Sequence, residues 1–173
     1  LSNVLTLGTS WTDTAGNANA GPSETTANFT IDTQAPTVSS FIMSDTALKI
    51  GETATVTIVF SEAVVGFASN DDVTVPNGIL STPNGILSTM TSFDDIIWTG
   101  TYTPNPGVED ATNKLNLNTN WTDTAGNTGS SATTVNFKID TLEPTIVTDN
   151  HGNPVSMSDT ALKIGDTATV TII

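Results

Sequence analysis

In the stretch TATVTIVF (residues 53–60), Ala54, Val56, Ile58 and Phe60 alternate with Thr53, Thr55 and Thr57. Successive side chains of a strand point to opposite faces, so this period predicts a strand with one face in a core and the other in water. The period recurs. IIWTGTYT (96–103) sets Trp98 and Tyr102 on one face, and KLNLNTNW (114–121) sets Leu115, Leu117 and Trp121 together. TVNFKID (134–140) aligns Val135, Phe137 and Ile139. TVSSFIM, DVTV and ILSTM add three more, giving about seven short strands in the middle of the chain.

That number of strands, at that spacing, predicts an all-β immunoglobulin-like sandwich. Its sequence is also repeated. MSDTALKIGETATVTI (43–58) returns as MSDTALKIGDTATVTI (157–172), where Asp166 replaces Glu52. LTLGTSWTDTAGN (5–17) returns as LNLNTNWTDTAGN (115–127), and NFTIDTQAPT (28–37) as NFKIDTLEPT (136–145). A period of domain size predicts sandwiches in tandem, unlike the shorter units of a solenoid. One complete domain (34–141) is then flanked by two partial ones, the end of a preceding repeat (1–33) and the start of a following repeat (142–173). A second, local repetition doubles PNGILST at 76–82 and 83–89. Seven is odd, so one strand cannot run through both copies without exchanging its faces. One copy is expected as a surface hairpin or bulge.

Composition narrows the chemistry. About one residue in five is Thr, which suits strands and turns rather than long helices. The formal charge is −14, which argues against nucleic acid or an anionic membrane as partner and is compatible with cations. With no Cys there is neither a disulfide framework nor a thiolate metal site. Alternating strand direction sorts the acids into two poles. The turns SEAVVGFASNDD, SFDD and TDTAGN carry Glu62, Asp71, Asp72, Asp94, Asp95 and Asp123 at one end, where Asp32 of the first linker also arrives and no lysine stands. The opposite end holds Glu52, Glu109, Asp110 and Asp140 in turns, with Lys49, Lys114 and Lys138.

Carboxylates crowded without a lysine must protonate or find a cation. Ca²⁺, which takes six to eight oxygen ligands from flexible loops, fits better than Mg²⁺ with its strict octahedron. Asp32, Glu62, Asp72, Asp123 and Asn127, with a backbone carbonyl near Thr33 or Thr124, are the expected donors. Asp123 and Asn127 also fit a second role, shaping the turn while Gly126 takes positive φ. Zn²⁺ is disfavoured, since the one histidine, His151, lies in the second linker. No Ser–His–Asp arrangement or paired-acid cleft marks the chain as an enzyme.

VTIVFSEAVVGF, DDVTVPNG, WTGTYTP, LNLNTNWTDTAGN and IDTxxPT, in this order, resemble bacterial Ig-like repeats of the kind that build the extender region of large RTX-type adhesins on Gram-negative bacteria. The resemblance implies an extracellular, calcium-dependent spacer at the cell surface. Its partners would be neighbouring repeats, end to end, with adhesion left to other parts of the protein. It places calcium at domain joins, hence at the linker residues Asp32 and Asp140 and at Asp123. Two alternatives stand beside it. The outward threonines of residues 53–57 and 99–103 are compatible with a module that binds carbohydrate or ice. A secreted glycoside hydrolase would use such a domain as an accessory.

Overall fold

The computed structural model describes residues 3–74, 84–148 and 152–172. The chain opens with β1 (Thr6–Leu7) and β2 (Glu24–Thr25). The middle region holds β3 (Val38–Met43), β4 (Ala47–Lys49), β5 (Ala54–Phe60), β6 (Val64–Val65), the short helix α1 (Ser69–Asp72) and β7 (Val73–Thr74). It continues with β8 (Gly85–Leu87), β9 (Thr91–Ser92), β10 (Ile97–Pro104) and β11 (Glu109–Asn113). Then follow β12 (Asn116–Leu117), β13 (Thr122–Asp123), β14 (Ala132–Thr133) and β15 (Phe137–Asp140), and last β16 (Val155–Met157) and β17 (Val170–Ile172). The fold is all-β and immunoglobulin-like, as the strand pattern predicts.

One antiparallel sheet runs β3-β5-β10-β8, with β9 also on β10. Its central strand β5 keeps the alternation read from the sequence: Ala54, Val56, Ile58 and Phe60 are buried. Facing it are the smaller groups β4-β15-β11, β7-β12-β14 and β6-β13, with β15 and β4 parallel. Aromatic rings join the two layers. Phe60 of β5 lies 4.5 Å from Trp121, and Tyr102 of β10 lies 5.3 Å from Phe137 of β15. Every buried described residue falls between Pro36 and Thr141, so residues 34–141 enclose a core of their own.

Three expectations need correction. Val135 does not share the face of Phe137 and Ile139; it is exposed. Thr134 is turned inward instead, its hydroxyl accepting the Leu115 N–H at 3.0 Å, and the alternation restarts at Phe137. Glu109 and Asp110 stand in strand β11 rather than in a turn, paired with β15 across a register shift. The loop after β5 contains β6 and α1. Of the doubled PNGILST, the second copy supplies β8, while the first lies outside the described residues.

The flanking segments carry the same residues in another environment. Leu5, Leu7, Trp11, Phe29 and Ile31 are 39–67 % exposed, whereas their counterparts Leu115, Leu117, Trp121, Phe137 and Ile139 are 0–2 % exposed. The sequence is equivalent; among the described residues no opposing layer packs on these side chains. Within these segments β1 pairs with β2, and β16 with β17.

Candidate metal centre

The segment TDTAGN at 122–127 folds around one carboxylate. Asp123 Oδ1 accepts the backbone N–H groups of Ala125 at 2.8 Å and Asn127 at 2.9 Å, and its Oδ2 accepts the Asn127 side-chain amide at 2.8 Å. The backbone closes the turn from Asp123 N–H to the Asn127 carbonyl at 3.1 Å, with Gly126 at φ 95°. The Asn127 amide, helped by these N–H groups, holds the Asp123 carboxyl below the usual aspartate value. Trp121 anchors the turn from behind. Its ring rests over Gly129, where a Cβ would stand 2.2 Å from the ring carbons, and its Nε1 donates to the Asn118 carbonyl at 2.8 Å.

TDTAGN at 12–17 makes the same turn: Asp13 accepts from Ala15 and Asn17 N–H at 2.9 Å each and from the Asn17 amide at 2.8 Å. Turn shaping is therefore built into the hexapeptide. Asn127 does something more. Its Nδ2 also reaches back to the linker carbonyls of Asp32 at 3.2 Å and Gln34 at 3.4 Å.

Two further contacts seat the linker. Thr37 N–H donates to Ser61 Oγ at 2.9 Å, and Ser61 N–H to the Thr37 carbonyl at 2.8 Å. Asp32 Oδ1 accepts the Gln34 N–H at 3.0 Å, which fixes its side chain over the bend. Strand β13 pairs with β6 and sets Asp123 opposite Val64, two residues beyond Glu62. As a result Asp32, Glu62 and Asp123 each offer a carboxylate oxygen, and these atoms lie within 4.8 Å of one another. Asp32 is exposed, Glu62 half-buried and Asp123 fully buried. A recess of about 390 Å³ opens between Asp32, Thr37, Ser61 and Glu62.

The residues fit a hard cation. Oxygens held at about 2.3–2.6 Å on opposite sides of one Ca²⁺ stand roughly 5 Å apart, so the spacing of the three carboxylates is compatible with a common ion. The donors are carboxylates, with backbone carbonyls beside them. No lysine neutralises them: among the described residues the salt bridge is Lys49–Glu52, 3.3 Å, in the turn before β5 and so at the opposite pole.

Of the remaining predicted residues, Asn127 adjoins the trio through its amide N–H groups, and the others stand apart from it. Asp72 is buried beside α1, its Oδ2 accepting the Ala68 N–H at 2.8 Å. Asp140 ends β15 at the other pole, paired with Glu109 and Lys49. His151 lies outside the described residues. Sequence reasoning missed Ser61 and the Gln34 carbonyl; Ser61 offered only its place after the strand as a turn residue.

Comparison with protein families gives a match to the bacterial Ig-like domain over residues 32–139. The chain belongs to the bacterial Ig-like domain family. The matched span opens at Asp32, the residue that the linker contributes to the trio. Such a domain is a non-catalytic type, typical of surface and extracellular structural modules. No curated protein and no solved structure matches the chain. Among the described residues no helix is long and apolar enough to cross a membrane.

Proposed function

We propose that this bacterial Ig-like chain is a calcium-stiffened spacer, a run of sandwiches stacked end to end that holds an adhesive region away from a bacterial cell. One observation carries the reading: a carboxylate from the linker, Asp32, meets Glu62 and Asp123 of the next domain within 4.8 Å. A cation bound there would cancel the repulsion of three carboxylates and tie the linker to both loops. Asn127 positions the linker by holding its carbonyls, and Asp123 presents its carboxylate from a rigid turn. The resemblance to extender repeats of RTX-type adhesins from Gram-negative bacteria supports the setting. Asp140 would serve the following joint in the role that Asp32 has in the first.

Stiffness is the property to measure. Small-angle scattering of the full chain in millimolar calcium should give a more extended particle than in chelator, and thermal melts should shift upward because the cation binds the ordered joint. Identical scattering and melts in both conditions would remove the reading. The binding-module alternative has one observation in its favour: on the outward face of the large sheet Thr57 pairs with Thr99 and Thr55 with Thr101. A solvated strand face has the same character, so the spacer reading is preferred.

A further inference from the structure

Two apolar features stand at opposite poles of the complete domain. The first is Phe93, fully exposed at the tip of the turn between β9 and β10. The turn under it is tightly built. Asp94 Oδ1 accepts the N–H groups of Ile96 at 3.0 Å and Ile97 at 2.9 Å and the Ser92 hydroxyl at 3.1 Å, and Asp95 takes φ 58°. A bare aromatic held in water by a rigid turn is an anchor without a pocket.

The pocket lies at the other pole. Ile50, Gly51, Pro104, Pro106, Gly107 and Thr141, with Glu143 the one charged residue of the lining, enclose a mainly apolar recess of about 350 Å³, ample for a phenyl ring.

The two features flank the same joint. Thr141 follows Asp140, and IDTLEPT (139–145) matches IDTQAPT (31–37), so Thr141 holds the position that Thr33 holds beside Asp32. On the other side of the joint, the Phe93 turn is tied to the loop of Glu62, because Val64 N–H donates to the Asp95 carbonyl at 3.0 Å. Where repeats stack through the carboxylate trio, the Phe93 turn of one copy faces the recessed pole of the copy before it.

We propose that Phe93 of each repeat plugs the recess formed by Ile50, Pro104, Pro106 and Thr141 of the repeat before it. The inference rests on the end-to-end stacking of the spacer reading and adds an apolar contact that needs no cation. The partner is a second copy of this domain.

The test is a protein of two complete copies of 34–141, each with its own core, joined by the native linker. Phe93→Ser is placed in the downstream copy alone or in the upstream copy alone. The readout is hydrogen exchange at the upstream Gly107 amide, which donates to the Thr141 carbonyl at 3.1 Å. The downstream substitution should speed that exchange by about tenfold, in chelator as well as in calcium, and the upstream one should leave it unchanged. Equal exchange in both variants and the parent overturns the plug. If calcium still extends the parent under that result, only the plug is lost; if calcium also does nothing, the stacked spacer falls with it.

Discussion

The side-chain amide of Asn127 lies 3.2 Å from the backbone carbonyl of Asp32, 95 residues earlier in the chain. One amide nitrogen thereby closes its own turn on Asp123 and holds the linker that enters the domain. The turn has further donors, whereas among the described residues the linker carbonyl has this one. In Asn127→Ala the Asp123 carboxylate keeps the N–H groups of residues 125 and 127, so the turn persists. The linker loses its donor. Hydrogen exchange should rise across residues 32–37 while the core strands keep their protection, with a stability loss of about 1 kcal/mol. Uniform loss of protection throughout 38–140 would instead make Asn127 a structural residue of the whole sandwich.

Acid should loosen the turns before it unfolds the core. Hydrogen bonds from the Asn17 amide to Asp13, from Ile97 N–H to Asp94 and from the Asn127 amide to Asp123 each hold the carboxyl below its ordinary value of 3.8. A folded value below the unfolded one means stability that is complete above the unfolded value and lost as pH falls through the folded one. Melting temperature in chelator should therefore be flat near neutrality and fall below about pH 4. Asp123→Asn should fall less steeply in the same acid range. Parallel profiles for the two proteins would show that this carboxylate is not linked to folding.

The alternation of β5 was legible because one of its faces packs on the opposite layer and the other does not, leaving every second side chain buried and no exception along its length. The sequence of β15 misled because Thr134 enters the core through a hydroxyl hydrogen bond, a choice that depends on Leu115 across the sandwich. Strands β4, β6 and β11 escaped since two or three residues, or a polar run such as EDATN, carry no period. At the site, Asp32, Glu62 and Asp123 were readable as one acidic pole. Asn127 was readable as a turn residue, but its reach to the linker is a contact between positions far apart in the chain. Pattern alone assigned Asp72 to the same pole without revealing that Ala68 N–H already engages its carboxylate.

Tyr102 offers a check on the core. Its hydroxyl is buried without a hydrogen-bond partner among the described residues, and burial, with a contribution from Asp110, pushes its ionisation up to about 12. An unsatisfied buried hydroxyl costs about 1–3 kcal/mol, so Tyr102→Phe should be neutral or stabilising by about 1 kcal/mol. The ring contact with Phe137 at 5.3 Å is kept in that variant. Chemical denaturation reads the difference, and a loss of more than about 1 kcal/mol would mean that the hydroxyl is engaged in solution.

Gly129→Ala probes the support of the site. The added methyl group would meet the Trp121 ring at 2.2 Å, and the ring cannot retreat, being packed 4.5 Å from Phe60. The expected cost is about 1–3 kcal/mol in a thermal or denaturant melt. An unchanged melt would show that the tryptophan has room to move, and with it the turn that carries Asp123.

Calcium affinity at the linker is the centre of the account, and calorimetric titration of the full chain measures it directly. The parent should release heat on binding calcium at the joint, and Glu62→Gln, which removes one charge from the trio at nearly constant shape, should weaken that event by about tenfold or more. Absence of a binding event in the parent, or an identical titration of parent and Glu62→Gln, would contradict the account.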